Sequence, residues 1–291
     1  MSLIIPENIV IEMKHPRKAI IPSYARINID GNIVHWYARK HRKGKSVVID
    51  GQRIRHPDLF RYYDVSWWTA FLFLVGSCAW VVNGASVVHQ PRVIWLGWLT
   101  AISAFIGGSF FIVGGYSMYL EALNRDKTFL FNEAIRRTER NFVWRWWGWD
   151  SLLDINFSAN FSQFLGTIVF YIAVISGLVF VSINVNESDE FMVWYIVFYW
   201  IPQVIGAFFL IISSYLLMIE SQHNWWQPRL LSFAWHVGFW NILGSIGFFL
   251  SGVFGLVNNQ SIVPIAMSTY LGSWSFTLGS FLQYLEACDI I

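Results

Sequence analysis

Charge is what this chain lacks. Asp, Glu, Lys and Arg make up 13% of its 291 residues, against 55% hydrophobic and 19% aromatic, with a mean hydropathy of +0.46. Soluble domains carry roughly 25% charged residues, so the composition excludes an ordinary soluble fold and indicates a membrane protein. Cysteine is also scarce, with Cys78 and Cys288 alone. Both fall in apolar runs at different depths, which predicts neither a disulfide nor a metal site. Met1 to Val10 shows no basic-then-apolar order, so no cleavable leader is expected and the first span serves as the insertion signal. No nucleophile–base constellation, phosphate-binding glycine loop or metal-ligand spacing occurs. That argues against an enzyme and predicts no cofactor.

What is present is a set of long uncharged runs. No Asp, Glu, Lys or Arg occurs in residues 65–91, 93–120, 155–186, 191–219 or 230–285. The last run is long enough for two spans and is split by Asn258-Asn259-Gln260-Ser261 with Pro264. A helix needs roughly 20 apolar residues to cross hydrocarbon. Six transmembrane helices are therefore expected, near 65–88, 93–121, 157–182, 191–220, 233–256 and 262–286. Continuous rather than alternating apolarity favours helices over a barrel.

The net charge of +2 hides an asymmetry, because twelve of the 20 Lys and Arg precede residue 62. The predicted loops after spans one, three and five hold only Arg92. Positive charge marks the cytoplasmic side, so a multi-pass protein with both termini cytoplasmic is expected. The basic N-terminal region, with RKHRKGK at 39–45, suits the lipid bilayer and its anionic headgroups rather than nucleic acid.

The chain also repeats itself. Gly107 to Ala122 reads GGSFFIVGGYSMYLEA, Gly206 to Ser221 reads GAFFLIISSYLLMIES, and Gly272 to Ala287 reads GSWSFTLGSFLQYLEA. Each places a Glu fourteen positions after a Gly: Glu121, Glu220 and Glu286. The odd spans match in the same way. Asp64, Asp154 and Ser232 sit at helix starts, Gly76, Gly166 and Gly244 follow, and Trp80, Phe170 and Phe248 come four residues later. The expected fold class is an all-α polytopic membrane protein of three repeated helical hairpins.

The expected organisation is a cytoplasmic β-hairpin domain over 1–60 and hairpin repeats over 61–122, 151–221 and 222–291. The β reading rests on the Asp-Gly pairs within 27–34 and 47–54. Residues 123–150 join the first two repeats, and NEAIRRTERNFVWRWWGW within them suggests an interfacial amphipathic helix.

Candidate site residues follow from the acidic tips. Each Glu sits at the C-terminal end of an even helix, where a carboxylate opposes the helix dipole and needs compensation. Arg61, Arg229, Asp64 and Asp154 stand at odd-helix starts as ion-pair or capping partners, and Glu220 is expected to need Arg145 or Arg229. One reading makes the three Glu residues structural stitches. The other makes them an acidic ring that binds a cation or proton at the inner mouth of a central path. Trp68, Trp235 and His236 lie near the same face as further ligand-site candidates, with a proton-relay or haem role for His236 as a third reading.

The two-span unit, GSFFIVGGYSMYLEA and LGSFLQYLEA in particular, resembles the YrhK-like membrane domain, a two-helix unit. The resemblance covers the six spans, not residues 1–60, and implies no activity. The Pro-x-acid-x-x-base signature of mitochondrial carriers occurs in none of the odd spans. Function is expected to be channel- or transporter-like, with an acidic, Trp-rich cytoplasmic-side site. The alternative is a non-catalytic scaffold or lipid-binding partner subunit. A homo-oligomer is expected because six short spans enclose little central space.

Overall fold

A computed structural model describes residues 9–12, 24–29, 32–37, 58–62, 64–89, 96–124, 144–150, 152–183, 189–222, 224–257 and 262–290. Six long helices dominate. They are α1 (Val65–His89), α2 (Leu96–Leu123), α3 (Ile155–Ser182), α4, α5 (Phe233–Val257) and α6 (Ile262–Ala287). Helix α4 is composite: Asp189–Tyr195 runs through a π-helical turn, Ile196–Trp200, into Ile201–Glu220. Pro202 explains the turn, because it lacks the N–H that the preceding turn needs and its ring crowds that turn.

Two helix starts carry side-chain caps, and the third bonds through its backbone. Asp64 Oδ1 accepts from Ser66 N and Asp154 Oδ1 from Asn156 N, each at 2.9 Å. The Ser232 carbonyl accepts from Trp235 N at 3.0 Å and His236 N at 3.2 Å. These bonds satisfy donors that a helix N-terminus leaves open.

Each helix packs on its neighbours in chain order, and α6 returns to α1. The six helices thus form a closed ring of antiparallel neighbours. Ser77 of α1 and Ser280 of α6 share a buried hydroxyl contact of 3.1 Å at the closure. On the facing α2–α3 seam, Thr167 Oγ1 lies 2.7 Å from where a Cβ on Gly115 would stand. Small residues at such seams let backbones approach where lipid supplies no hydrophobic drive.

Among the described residues, five helices are long and apolar enough to cross a membrane: Val65–His89, Gly97–Leu123, Ile155–Ser182, Phe191–Glu220 and Phe233–Val257. The sixth expected span, 262–286, is not among them. Helix α6 has the length, but its polar residues lower its hydropathy, and Thr269, Ser273, Ser280 and Gln283 are buried against neighbours.

Backbone pairing is described for three short antiparallel strands, β1 (Ile9–Glu12), β2 (Tyr24–Ile29) and β3 (Asn32–Tyr37), in the order β1-β2-β3. Ile29 pairs with both Ile9 and Asn32. The second expected hairpin, 47–54, and the basic segment 39–45 lie outside the described residues, so these strands do not amount to the β domain expected over 1–60. Of the expected interfacial helix, residues 144–150 are described and form bends and irregular chain. They are held to the end of α2. Asn124 Oδ1 accepts from Arg145 N at 2.9 Å, Asn124 Nδ2 donates to Arg145 O at 2.8 Å, and Tyr116 Oη donates to Trp146 O at 2.9 Å.

Candidate functional site

The centre of the ring is built on close glycine crossings. A Cβ on Gly107 would lie 3.1 Å from Gly76 O, one on Gly166 3.0 Å from Gly206 O, and one on Gly272 2.9 Å from Gly244 O. The same crossing therefore recurs within α1–α2, α3–α4 and α5–α6. One helical turn beyond each glycine a large side chain turns inward. From the odd helices come Trp80, Phe170 and Phe248, and from the even helices Phe111, Leu210 and Phe276, all buried in one cluster.

The three odd-helix rings meet one another edge to face. Centroid separations are 5.6 Å for Trp80–Phe170, 4.9 Å for Trp80–Phe248 and 5.6 Å for Phe170–Phe248. Phe276 adds contacts to Phe111 at 5.5 Å and Phe248 at 5.6 Å. Edge-to-face contact is the favoured geometry for aromatic quadrupoles. On one side of this junction the space bounded by residues of all six helices is about 10 Å³, too small for more than a water-sized group next to the rings.

On the other side a cavity of about 370 Å³ opens. Its floor is Trp80, Phe170 and Phe248. Its walls come from the ends of α1, α3 and α5 and the starts of α2, α4 and α6. Among the described residues, none that lines the cavity is Asp, Glu, Lys, Arg or His. Polar groups are neutral and few. Asn83 Nδ2 donates to Thr100 O at 2.8 Å, Gln203 Nε2 to Phe248 O at 3.2 Å, and Thr269 Oγ1 to Ser251 Oγ at 2.8 Å. The π-helical turn supplies an aromatic wall. Tyr195 and Tyr199 stack at 4.8 Å, and Trp200 stands edge-on to them at 5.6 and 4.7 Å. Trp200 is 5% exposed, and its Nε1 has no hydrogen-bond partner. Isolated π turns occur preferentially at functional sites.

The residues singled out from the sequence lie at the opposite end of the ring. Glu121 and Glu220 are buried and Glu286 is half-buried, each at the end of its even helix, and none lines the cavity. Glu220 Oε1 accepts from Asn156 Nδ2 at 2.6 Å, so α3 supplies a neutral donor to this carboxylate in addition to any of the arginines expected there. Asn160 Nδ2 extends the link by donating to Asn156 O at 2.8 Å. Trp68, Ser158 and His236 occupy matching positions and make matching bonds to the carbonyl six residues earlier. Trp68 Nε1 donates to Tyr62 O at 2.7 Å, Ser158 Oγ to Leu152 O at 2.5 Å, and a His236 ring nitrogen meets Leu230 O at 2.7 Å. Trp235 is buried, stacked on Phe239 and edge-on to His236, both at 5.2 Å. Arg61 and Arg229 lie at the odd-helix starts, where their carbonyls accept from Asp64 N and Ser232 N, each at 2.8 Å.

The cavity residues Tyr195, Tyr199, Trp200, Asn83 and Gln203 were not anticipated. The available signals were Asn83, Gln203 and Pro202, uncommon residues inside otherwise apolar spans. No family model, no curated protein and no solved structure matches the chain.

Proposed function

We propose that this is a transporter-like integral membrane protein that binds a small molecule in the cavity between the ring junction and the ends of α1, α3 and α5. The observation that carries the reading is the one-sided geometry: about 370 Å³ of space above the three rings and about 10 Å³ below them. An open channel needs a continuous path. A carrier in one of its two states has a cavity facing one side and a packed barrier facing the other. The barrier starts with three rings at 4.9–5.6 Å and is backed by Phe111, Leu210 and Phe276, so rotation of the helices about the glycine crossings would be needed to part it.

Three further elements belong to the proposal. The ring is a triplicated hairpin around a pseudo-threefold axis; the recurring glycine crossings, the three-ring junction and the matched bonds of Trp68, Ser158 and His236 support it. Helix α6 crosses the bilayer as the sixth span; its 26 residues and its seat between α5 and α1 support that. The acidic tips face the cytoplasm with both termini, as the excess of Lys and Arg suggests, and the cavity faces the other side. Glu121, Glu220 and Glu286 then stitch even helices to odd ones, and the Asn156–Glu220 bond supports this role over an ion-binding ring. The likeness to YrhK-like two-helix units, a homo-oligomer and contact of the basic N-terminal region with anionic lipid stand as proposals from the sequence.

The test is thiol labelling in oriented membranes, with Cys78 and Cys288 replaced by Ser. Thr269→Cys, in the cavity, should react with a membrane-impermeant maleimide from the non-cytoplasmic side only. Gln163→Cys, beyond the junction, should not react from that side. Labelling of both positions from one side would show a continuous path and sink the carrier reading.

A further inference from the structure

The cavity wall says what kind of molecule it takes. The inference rests on the binding role proposed above and adds the ligand's chemistry. First, among the described residues none that lines the cavity carries a charge. Moving an ion from water into such a site without a partner leaves its lost hydration uncompensated, so inorganic ions and charged organic molecules are disfavoured. Second, the wall is rich in rings: Trp80, Phe170, Phe191, Tyr195, Tyr199, Trp200 and Phe248. The stacked Tyr195–Tyr199 pair, with interplanar angle 9°, offers a flat ring face. Flat guests gain from such surfaces through stacking and edge contacts.

Third, one buried indole N–H on this wall is left over. Trp200 Nε1 is buried with no partner, while Asn83 Nδ2 and Gln203 Nε2 each give one of their two hydrogens to a backbone carbonyl. An unmade hydrogen bond at a buried donor carries a penalty that a ligand acceptor would relieve. Trp200 is held in place, since a Cβ on Gly255 would lie 2.4 Å from its ring, so its donor is fixed rather than searching. The π-helical turn puts Tyr195, Tyr199 and Trp200 on one wall. Small-molecule sites of roughly 300–1,000 Å³ that are mostly apolar with a few fixed polar groups match this description.

We propose that the cavity binds an uncharged, planar, aromatic molecule that presents a hydrogen-bond acceptor to Trp200 Nε1. Coumarin has these features, being a flat neutral bicycle with a lactone carbonyl. Naphthalene has the same shape and no acceptor, and coumarin-3-carboxylate adds a charge. The full-length protein, purified in detergent, is titrated with each, following tryptophan fluorescence.

The expected order is coumarin tightest, naphthalene weaker, and the carboxylate without saturable binding. Trp200→Phe keeps a ring and removes the donor. It should weaken coumarin about fivefold and leave naphthalene unchanged, as the loss of one neutral hydrogen bond implies. Ala104→Phe fills the cavity from α2 and should abolish binding of both. Equal weakening of coumarin and naphthalene in Trp200→Phe overturns the assigned donor. Binding of coumarin-3-carboxylate as tight as coumarin overturns the uncharged class. If Thr269→Cys labels from one side only while the coumarin series fails, the ligand class falls alone; if the labelling fails, the carrier reading falls with it.

Discussion

Replacing Gly206 by Ala is the sharpest probe of the ring. An added Cβ would stand 2.6 Å from Phe170 N and 2.8 Å from Phe170 Cα. Ordinary contact begins near 3.4 Å, so the shortfall is about 0.8 Å, and it is against backbone rather than a side chain that can swing away. Helices α3 and α4 must therefore part. A gap of roughly 0.5–1 Å forfeits a quarter to a half of the dispersion energy of each facing pair. In a bilayer that energy is most of what holds helices together. Overpacking of this kind costs about 1–3 kcal/mol. For a chain of this size that corresponds to a fall in Tm of roughly 2–10 °C. Gly114→Ala is the control. Its Cβ would lie 3.3 Å from the Phe73 ring, which can tilt, so little or no loss is expected. The assay is thermal unfolding of both purified proteins in the same detergent, read by size exclusion after heating. Equal melting of Gly206→Ala and wild type would refute the close crossing.

Other outcomes follow from the same geometry. Asn156→Ala and Glu220→Ala should be coupled in a double-mutant cycle by about 1–2 kcal/mol, because a hydrogen bond to a carboxylate is lost in either; additive losses would show that the pair does not interact. Asp154→Ala should cost about 1 kcal/mol through loss of the cap on Asn156 N, with Asp154→Asn recovering most of it in the same melting assay. His236→Ala should lower Tm in the way Ser158→Ala does, and neither should alter the visible absorption spectrum; a haem band that disappears with His236 would restore a redox role. Trp80→Ala should thin the junction and let Gln163→Cys react from the cavity side, whereas unchanged protection would place the barrier elsewhere.

The sequence by itself determined which segments are helices, since uncharged runs of span length in hydrocarbon can satisfy their backbones only that way. It also marked the caps at Asp64 and Asp154 and the glycines at 76, 107, 166, 206, 244 and 272, because a cap needs an oxygen side chain and a close crossing needs no side chain at all. It drew attention to the acidic end of the bundle, whereas the cavity opens at the other end, because three repeated acids are a louder signal than neutral Asn, Gln and Trp. The tertiary structure alone decided the order of packing around the ring, the return of α6 to α1 through Ser77 and Ser280, and the meeting of Trp80, Phe170 and Phe248. The reason is physical. In water, an apolar stripe shows which face of a helix is buried. In lipid, the outer face is as apolar as the inner one, so hydropathy cannot tell Trp80 in the junction from Val82, 46% exposed, two residues further along α1.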